Sequence, residues 1–104
     1  MSNTLRVVQF GGQQVGAITS NRDGSLAVRG TTPELEQALQ ELVARITASP
    51  LAYTSGREVQ AKDGLRHLTS QTRVRPGDPH YLDALADTLS KHRLGGKRIR
   101  GVVE

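Results

Sequence analysis

The stretch Lys91–Glu104, KHRLGGKRIRGVVE, decides the fold because it holds a helix stop and then a strand pattern. Its GG pair is typical of the end of a helix. After the glycines, Arg98 and Arg100 alternate with Ile99, and a period of two is typical of a strand covered on one side. The stretch therefore predicts a closing strand over residues 97–103 with a basic exposed side, rather than a nucleic-acid-binding tail.

The residues before this strand predict a helix over residues 79–92. Asp78-Pro79 provides a cap residue and a proline at the helix start. The buried stripe of this helix comprises Tyr81, Leu82, Leu85, Ala86 and Leu89. A strand, a helix and a strand in succession predict two parallel neighbouring strands, at residues 72–75 and 97–103.

The first half of the chain predicts a three-stranded meander followed by a second helix. A glycine pair and an Asp-Gly pair provide the turns between short runs rich in β-branched residues. Thr32-Pro33 begins a helix over residues 33–48, and Asp63-Gly64 indicates a hairpin after it. The remaining predicted strands are near residues 5–10, 13–19, 26–29, 58–61 and 65–75.

These elements predict one α+β domain over residues 1–104. Its order is an antiparallel meander, a helix, a hairpin, a helix and a C-terminal strand. Both helices are expected to pack on one face of a single, mostly antiparallel sheet. The first strand is a candidate edge strand, which could recruit a strand from a second chain.

Composition limits the classes of function. The 104 residues include no cysteine, which excludes disulfides and cysteine-ligated metal sites and favours a cytoplasmic location. No apolar run is long enough to span a membrane, so no membrane partner is expected. One Phe, two Tyr and no Trp leave little material for stacking bases or for an aromatic pocket.

The positive charge is concentrated in the second half of the chain. Residues 57–104 carry ten Arg or Lys against six acids, and eleven of the fourteen cations in the whole chain are Arg. If the two predicted strands are neighbours, their arginines share one face, which indicates a surface for phosphate groups or for an acidic partner. The candidate binding residues are Arg73, Arg75, Arg93, Lys97, Arg98 and Arg100.

Catalytic and metal signatures are weak. His80, Asp83 and Asp87 fall on one side of the second predicted helix and form a weak alternative metal site. No serine lies in G-x-S-x-G, and neither glycine-rich turn has phosphate-loop spacing. No catalytic residue and no cofactor are predicted.

The sequence therefore predicts a small non-enzymatic binding domain. Its expected partner is another protein or a second copy of the chain, in a homodimer. The first alternative is nucleic-acid binding through the arginine-bearing face of the sheet. The second alternative is a small metal- or ligand-dependent enzyme.

Overall fold

The structure, a computed structural model, describes residues 3–61 and 64–104; for residues 54–61 and 64–71 it describes only the backbone. The elements in chain order are β1 (Thr4–Gln9), β2 (Gln14–Ser20), β3 (Leu26–Gly30), α1 (Pro33–Thr47), β4 (Leu51–Ala61), β5 (Gly64–Val74), α2 (Tyr81–Leu89), β6 (Arg93–Leu94) and β7 (Lys97–Val103). The predicted α+β class is confirmed, with two helices and an antiparallel five-stranded sheet.

Helix α1 begins where its cap residues indicate. The Thr32 hydroxyl accepts a hydrogen bond of 3.2 Å from the backbone N–H of Leu35. Pro33 is the first helical residue, where its missing N–H leaves no bond unmade. Four apolar side chains at helical spacing are buried: Leu39, Leu42, Val43 and Ile46.

Helix α2 is shorter than the predicted span of residues 79–92. The Asp78 carboxylate accepts a 2.8 Å bond from the backbone N–H of Arg75, so it closes the preceding turn instead of capping the helix. His80 is the N-cap and provides no side-chain bond to the helix. The helix ends at Leu89, and the residues after it turn into the short strand β6.

The strands form two sheets, so the predicted single sheet is wrong. One sheet has the order β3-β2-β1-β7-β6, and the other is the β4–β5 hairpin. Strand β7 pairs antiparallel with β1, with Leu5 opposite Val103, and not parallel with β5. The crossover rule applies only to strands of one sheet, and β5 belongs to the other. Strand β1, the candidate edge, lies inside the sheet.

The β4–β5 hairpin is longer than predicted. Its register runs from Leu51 opposite Val74 to Ala61 opposite Gly64. Residues 62 and 63 of the predicted turn lie outside the described part of the chain.

A single hydrophobic cluster includes side chains of both helices, the five-stranded sheet and the hairpin. The sheet contributes Leu5, Val7, Ile18 and Ile99, and the hairpin contributes Leu51 and Val74. Two close approaches depend on glycine: a Cβ on Gly30 would collide with the backbone nitrogen of Glu36, and one on Gly101 would lie 2.9 Å from Ala86. Neither of the described helices has the length and apolar character needed to cross a bilayer.

Candidate binding surface

Strand β7 presents two arginines on the side of the sheet that faces away from the hydrophobic cluster. Ile99 is buried in the cluster, whereas Arg98 and Arg100 are exposed. Because successive strand residues point to opposite faces, both arginines lie on the face opposite Ile99. This is the side of β7 on which the sequence placed them.

Two further arginines on neighbouring strands join this face. Arg6 lies opposite Val102 on one side and opposite Ala17 on the other. Ala17 in turn lies opposite Arg29 on β3. Sequence reasoning did not assign either arginine to the site. The signal was present, because each alternates with buried or half-buried apolar residues in its strand.

Strand β6 brings a fifth arginine to the same face. Arg93 lies directly opposite Arg98, and Leu94 lies opposite Lys97 across the Gly95-Gly96 turn. Two like charges directly opposite each other are unfavourable unless an anion lies nearby. We call the side of the sheet that carries Arg6, Arg29, Arg93, Arg98 and Arg100 the arginine face. Lys97 is exposed, but it lies two residues from Ile99 and therefore on the other side of β7.

Only one ion pair neutralises the arginine face within the described part of the chain. The Nε atom of Arg6 lies 2.6 Å from Oε1 of Glu104. Among the described side chains, no carboxylate lies within 4.0 Å of a guanidinium nitrogen of the other four arginines. The described carboxylates therefore leave four of the five arginines without an ion pair.

Arg73 and Arg75 do not belong to the arginine face. Arg73 lies opposite Ala52 in the β4–β5 hairpin, which forms a separate sheet. Arg75 follows the end of β5, and its backbone N–H binds Asp78. The sequence placed these residues beside Arg98 and Arg100 because it took β5 and β7 for neighbours.

An exposed phenylalanine lies at one corner of the arginine face. Phe10 is 89% exposed, and its backbone N–H donates a 2.9 Å bond to the carbonyl of Arg98. An open groove of about 390 Å³ is lined here by Val8, Phe10, Arg98 and Arg100, among others. Val8 is only 7% exposed although it lies outside the hydrophobic cluster. Sequence reasoning missed this corner because the glycine pair after Phe10 was read only as a turn.

The weak alternative metal site does not assemble. His80 Nδ1 lies 3.5 Å from Asp83 Oδ2, and the His80 ring stacks on Tyr53 with centroids 4.3 Å apart. Asp87 instead lines a groove with Arg45 and Lys91. Among the described residues, no group of three or more histidine or acidic side chains is placed to hold a metal ion.

Comparison with known proteins adds no assignment to this geometry. The chain matches no protein-family model, no curated protein and no solved structure.

Proposed function

We propose that this protein is a small non-enzymatic domain that binds an acidic segment of a partner protein on the arginine face. The observation that carries the proposal is the cluster of five exposed arginines, which pairs with one carboxylate among the described side chains. A charged surface of this kind costs mutual repulsion, which a bound anionic partner offsets. The absence of cysteine fits a reducing cytoplasm as the place of action.

The composition of the face favours a protein over other polyanions. Small or apolar residues, Ala17, Ala27 and Val102, are half-buried between the arginines. The cations that define the face are all arginine. Protein interfaces are enriched in arginine and depleted in lysine, and arginine is common among the residues that dominate binding energy.

The test compares two variants of equal charge change. Arg29→Glu with Arg98→Glu alters the arginine face, and Arg73→Glu with Arg75→Glu makes the same change on and beside the hairpin. We expect a fluorescent polyglutamate peptide to bind the native chain and the hairpin variant, and to lose about tenfold or more in affinity for the face variant. Equal losses in both variants would show that net charge, and not the face, determines binding.

A second candidate function, binding of single-stranded nucleic acid, is favoured by Phe10 alone. Arginines that grip phosphates beside an aromatic ring on which a base stacks are typical of such surfaces. Phe10 is exposed and its backbone contacts that of Arg98, as this function would require. Phe10→Ala should then weaken binding of a labelled single-stranded oligonucleotide by roughly tenfold or more per stacked base, and leave polyglutamate binding unchanged.

A salt series on the native chain decides between the two candidates. Oligonucleotide binding that is tighter than peptide binding near physiological salt, and that depends on Phe10, would overturn the protein proposal. Peptide binding that survives where oligonucleotide binding is lost would support it.

A further inference from the structure

The two edges of the five-stranded sheet differ in how they are protected. At β3, the Gln40 side chain donates a 3.2 Å bond to the carbonyl of Val28, and the Glu36 carboxylate accepts a 3.2 Å bond from the N–H of Gly30. Helix α1 thus occupies hydrogen-bonding groups that an added strand would need. At the other edge, β6 pairs only with Lys97 and Arg98 of β7.

The remainder of β7 has backbone groups that point away from the sheet. Phe10 donates to the carbonyl of Arg98, and the N–H of Glu104 donates to the carbonyl of Thr4. In an antiparallel ladder, the backbone groups of every second residue bond to the neighbouring strand. The N–H and C=O groups of residues 98, 100, 102 and 104 therefore point towards β1. The N–H and C=O groups of Gly101 and Val103 therefore face outward, beyond the residues of β7 that pair with β6.

We infer that β7 pairs antiparallel with β7 of a second copy, with Val102 of both copies at the two-fold axis. This inference names one partner for the protein-binding function proposed above; it rests on the edge of β7 and uses one arginine of the face, Arg100. In this register Gly101 exchanges backbone hydrogen bonds with Val103 of the second copy. Arg100 then lies opposite Glu104 of the second copy, which also pairs with Arg6 of its own chain, and the same contact is repeated by symmetry.

Neighbouring registers are excluded by charge and by space. A shift of four residues in one strand centres the pairing on Arg100 and places two arginines face to face. Centring it on Gly101 places Glu104 of the second copy beside Arg98, where Arg93 already lies. The register centred on Val102 avoids both conflicts and brings two half-buried valines together in the closely spaced type of antiparallel pair.

The experiment is a measurement of mass against concentration with charge-exchange variants. The native chain should rise from 11.2 kDa towards twice that mass in sedimentation equilibrium. Arg100→Glu and Glu104→Arg should each weaken the dimer by about tenfold, because each places like charges opposite one another in both symmetry-related pairs. An equimolar mixture of the two variants should recover association, since both cross-pairs then have opposite charges.

Two further variants keep the test decisive. Arg98→Glu is the matched control: it alters the neighbouring arginine of the same face of β7, which lies outside the proposed ladder, and should dimerise like the native chain. Val102→Asp should abolish the dimer by placing two carboxylates at the axis, and circular dichroism checks that each variant folds.

The possible failures have different meanings. A native mass that stays at 11.2 kDa up to about 1 mM would overturn the inference. A dimer that ignores Arg100→Glu, Glu104→Arg and Val102→Asp would overturn it as well. Neither result would contradict peptide binding by the arginine face. The variants that test peptide binding leave Arg100, Val102 and Glu104 unchanged.

Discussion

Gly30 shows how one missing side chain positions a helix. It lies at the end of β3, and the first turn of α1 passes so close that a Cβ would collide with the backbone of Glu36. Backbone atoms cannot rotate away as a side chain can. Helix α1 can therefore pack this closely against β3 only because residue 30 has no side chain.

Gly30→Ala should destabilise the protein by about 1–3 kcal/mol, because the helix must shift to accept the extra methyl group. Urea unfolding followed by circular dichroism measures the change. The control is Arg29→Ala at the exposed neighbouring residue, expected within about 0.5 kcal/mol of the native chain. An unchanged midpoint for Gly30→Ala would mean that α1 lies farther from β3 than described.

At the residue scale, the sequence indicated which side chains of β7 are exposed but not which other residues lie near them. Period-two alternation around Ile99 was sufficient to place Arg98 and Arg100 on one face. It could not show that Arg6 and Arg29 share that face, because their proximity depends on strand order. Nor could it show that Phe10, at the end of β1, meets the backbone of Arg98.

The elements are held together at the β3 edge by side chains of α1. The Glu36 carboxylate bonds the N–H of Gly30, a group that points away from β2. Thr31, the next residue, donates its N–H to the carbonyl of Val15 on the sheet side. These adjacent amides therefore report on the helix contact and on the strand pairing separately.

Glu36→Ala should raise the hydrogen-exchange rate of the Gly30 amide by about tenfold while changing that of Thr31 much less. The exchange of both amides is read by NMR in the same sample. Glu41→Ala, at an exposed residue of the same helix, is the control and should change neither. Equal acceleration at Gly30 and Thr31 would indicate general loosening of β3 instead of loss of one edge contact.

Cap residues predicted the start of α1 correctly, but not the start of α2. At α1, Thr32 and Pro33 act as their types suggest, and the helix begins as predicted. At α2, the same pattern in Asp78-Pro79 was misleading, since the Asp78 side chain bonds the N–H of Arg75. An aspartate can cap a helix or close a turn, and local sequence does not determine which bond forms.

The whole molecule is extended by its hairpin. Its Cα radius of gyration is 15.5 Å, against about 13 Å for a compact chain of this length. Strands of 11 residues reach roughly 37 Å. Among the described side chains of the hairpin, only Leu51 and Val74 belong to the hydrophobic cluster, and Tyr53 packs against it.

Replacing residues 55–70 by an Asn-Gly turn should leave a folded protein, because the described core contacts of the hairpin lie at its base. We expect cooperative thermal unfolding and a radius of gyration, from small-angle X-ray scattering, that falls towards about 13 Å. Leu51→Ala, at the base, should by contrast cost about 2–5 kcal/mol. Non-cooperative unfolding of the shortened chain would show that the outer hairpin supports the core.

At this scale the sequence supported the α+β class but not the arrangement of the sheets. The order of strand and helix patterns follows from local periodicity, which the chain displays clearly. Pairing of β7 with β1 joins residues far apart in sequence, and no local pattern distinguishes it from pairing with β5. The separate hairpin sheet therefore could not be foreseen, and Arg73 and Arg75 were misplaced with it.

The unequal protection of the two sheet edges has a consequence for how far assembly can proceed. An edge that pairs with its own copy about a two-fold axis is used up by that contact, and α1 obstructs the β3 edge of each copy. The five-stranded sheet can then bind only one further copy of the chain. If β7 pairs as inferred above, growth through the five-stranded sheet ends at the dimer and does not continue into the open-ended polymerisation that leads to fibres.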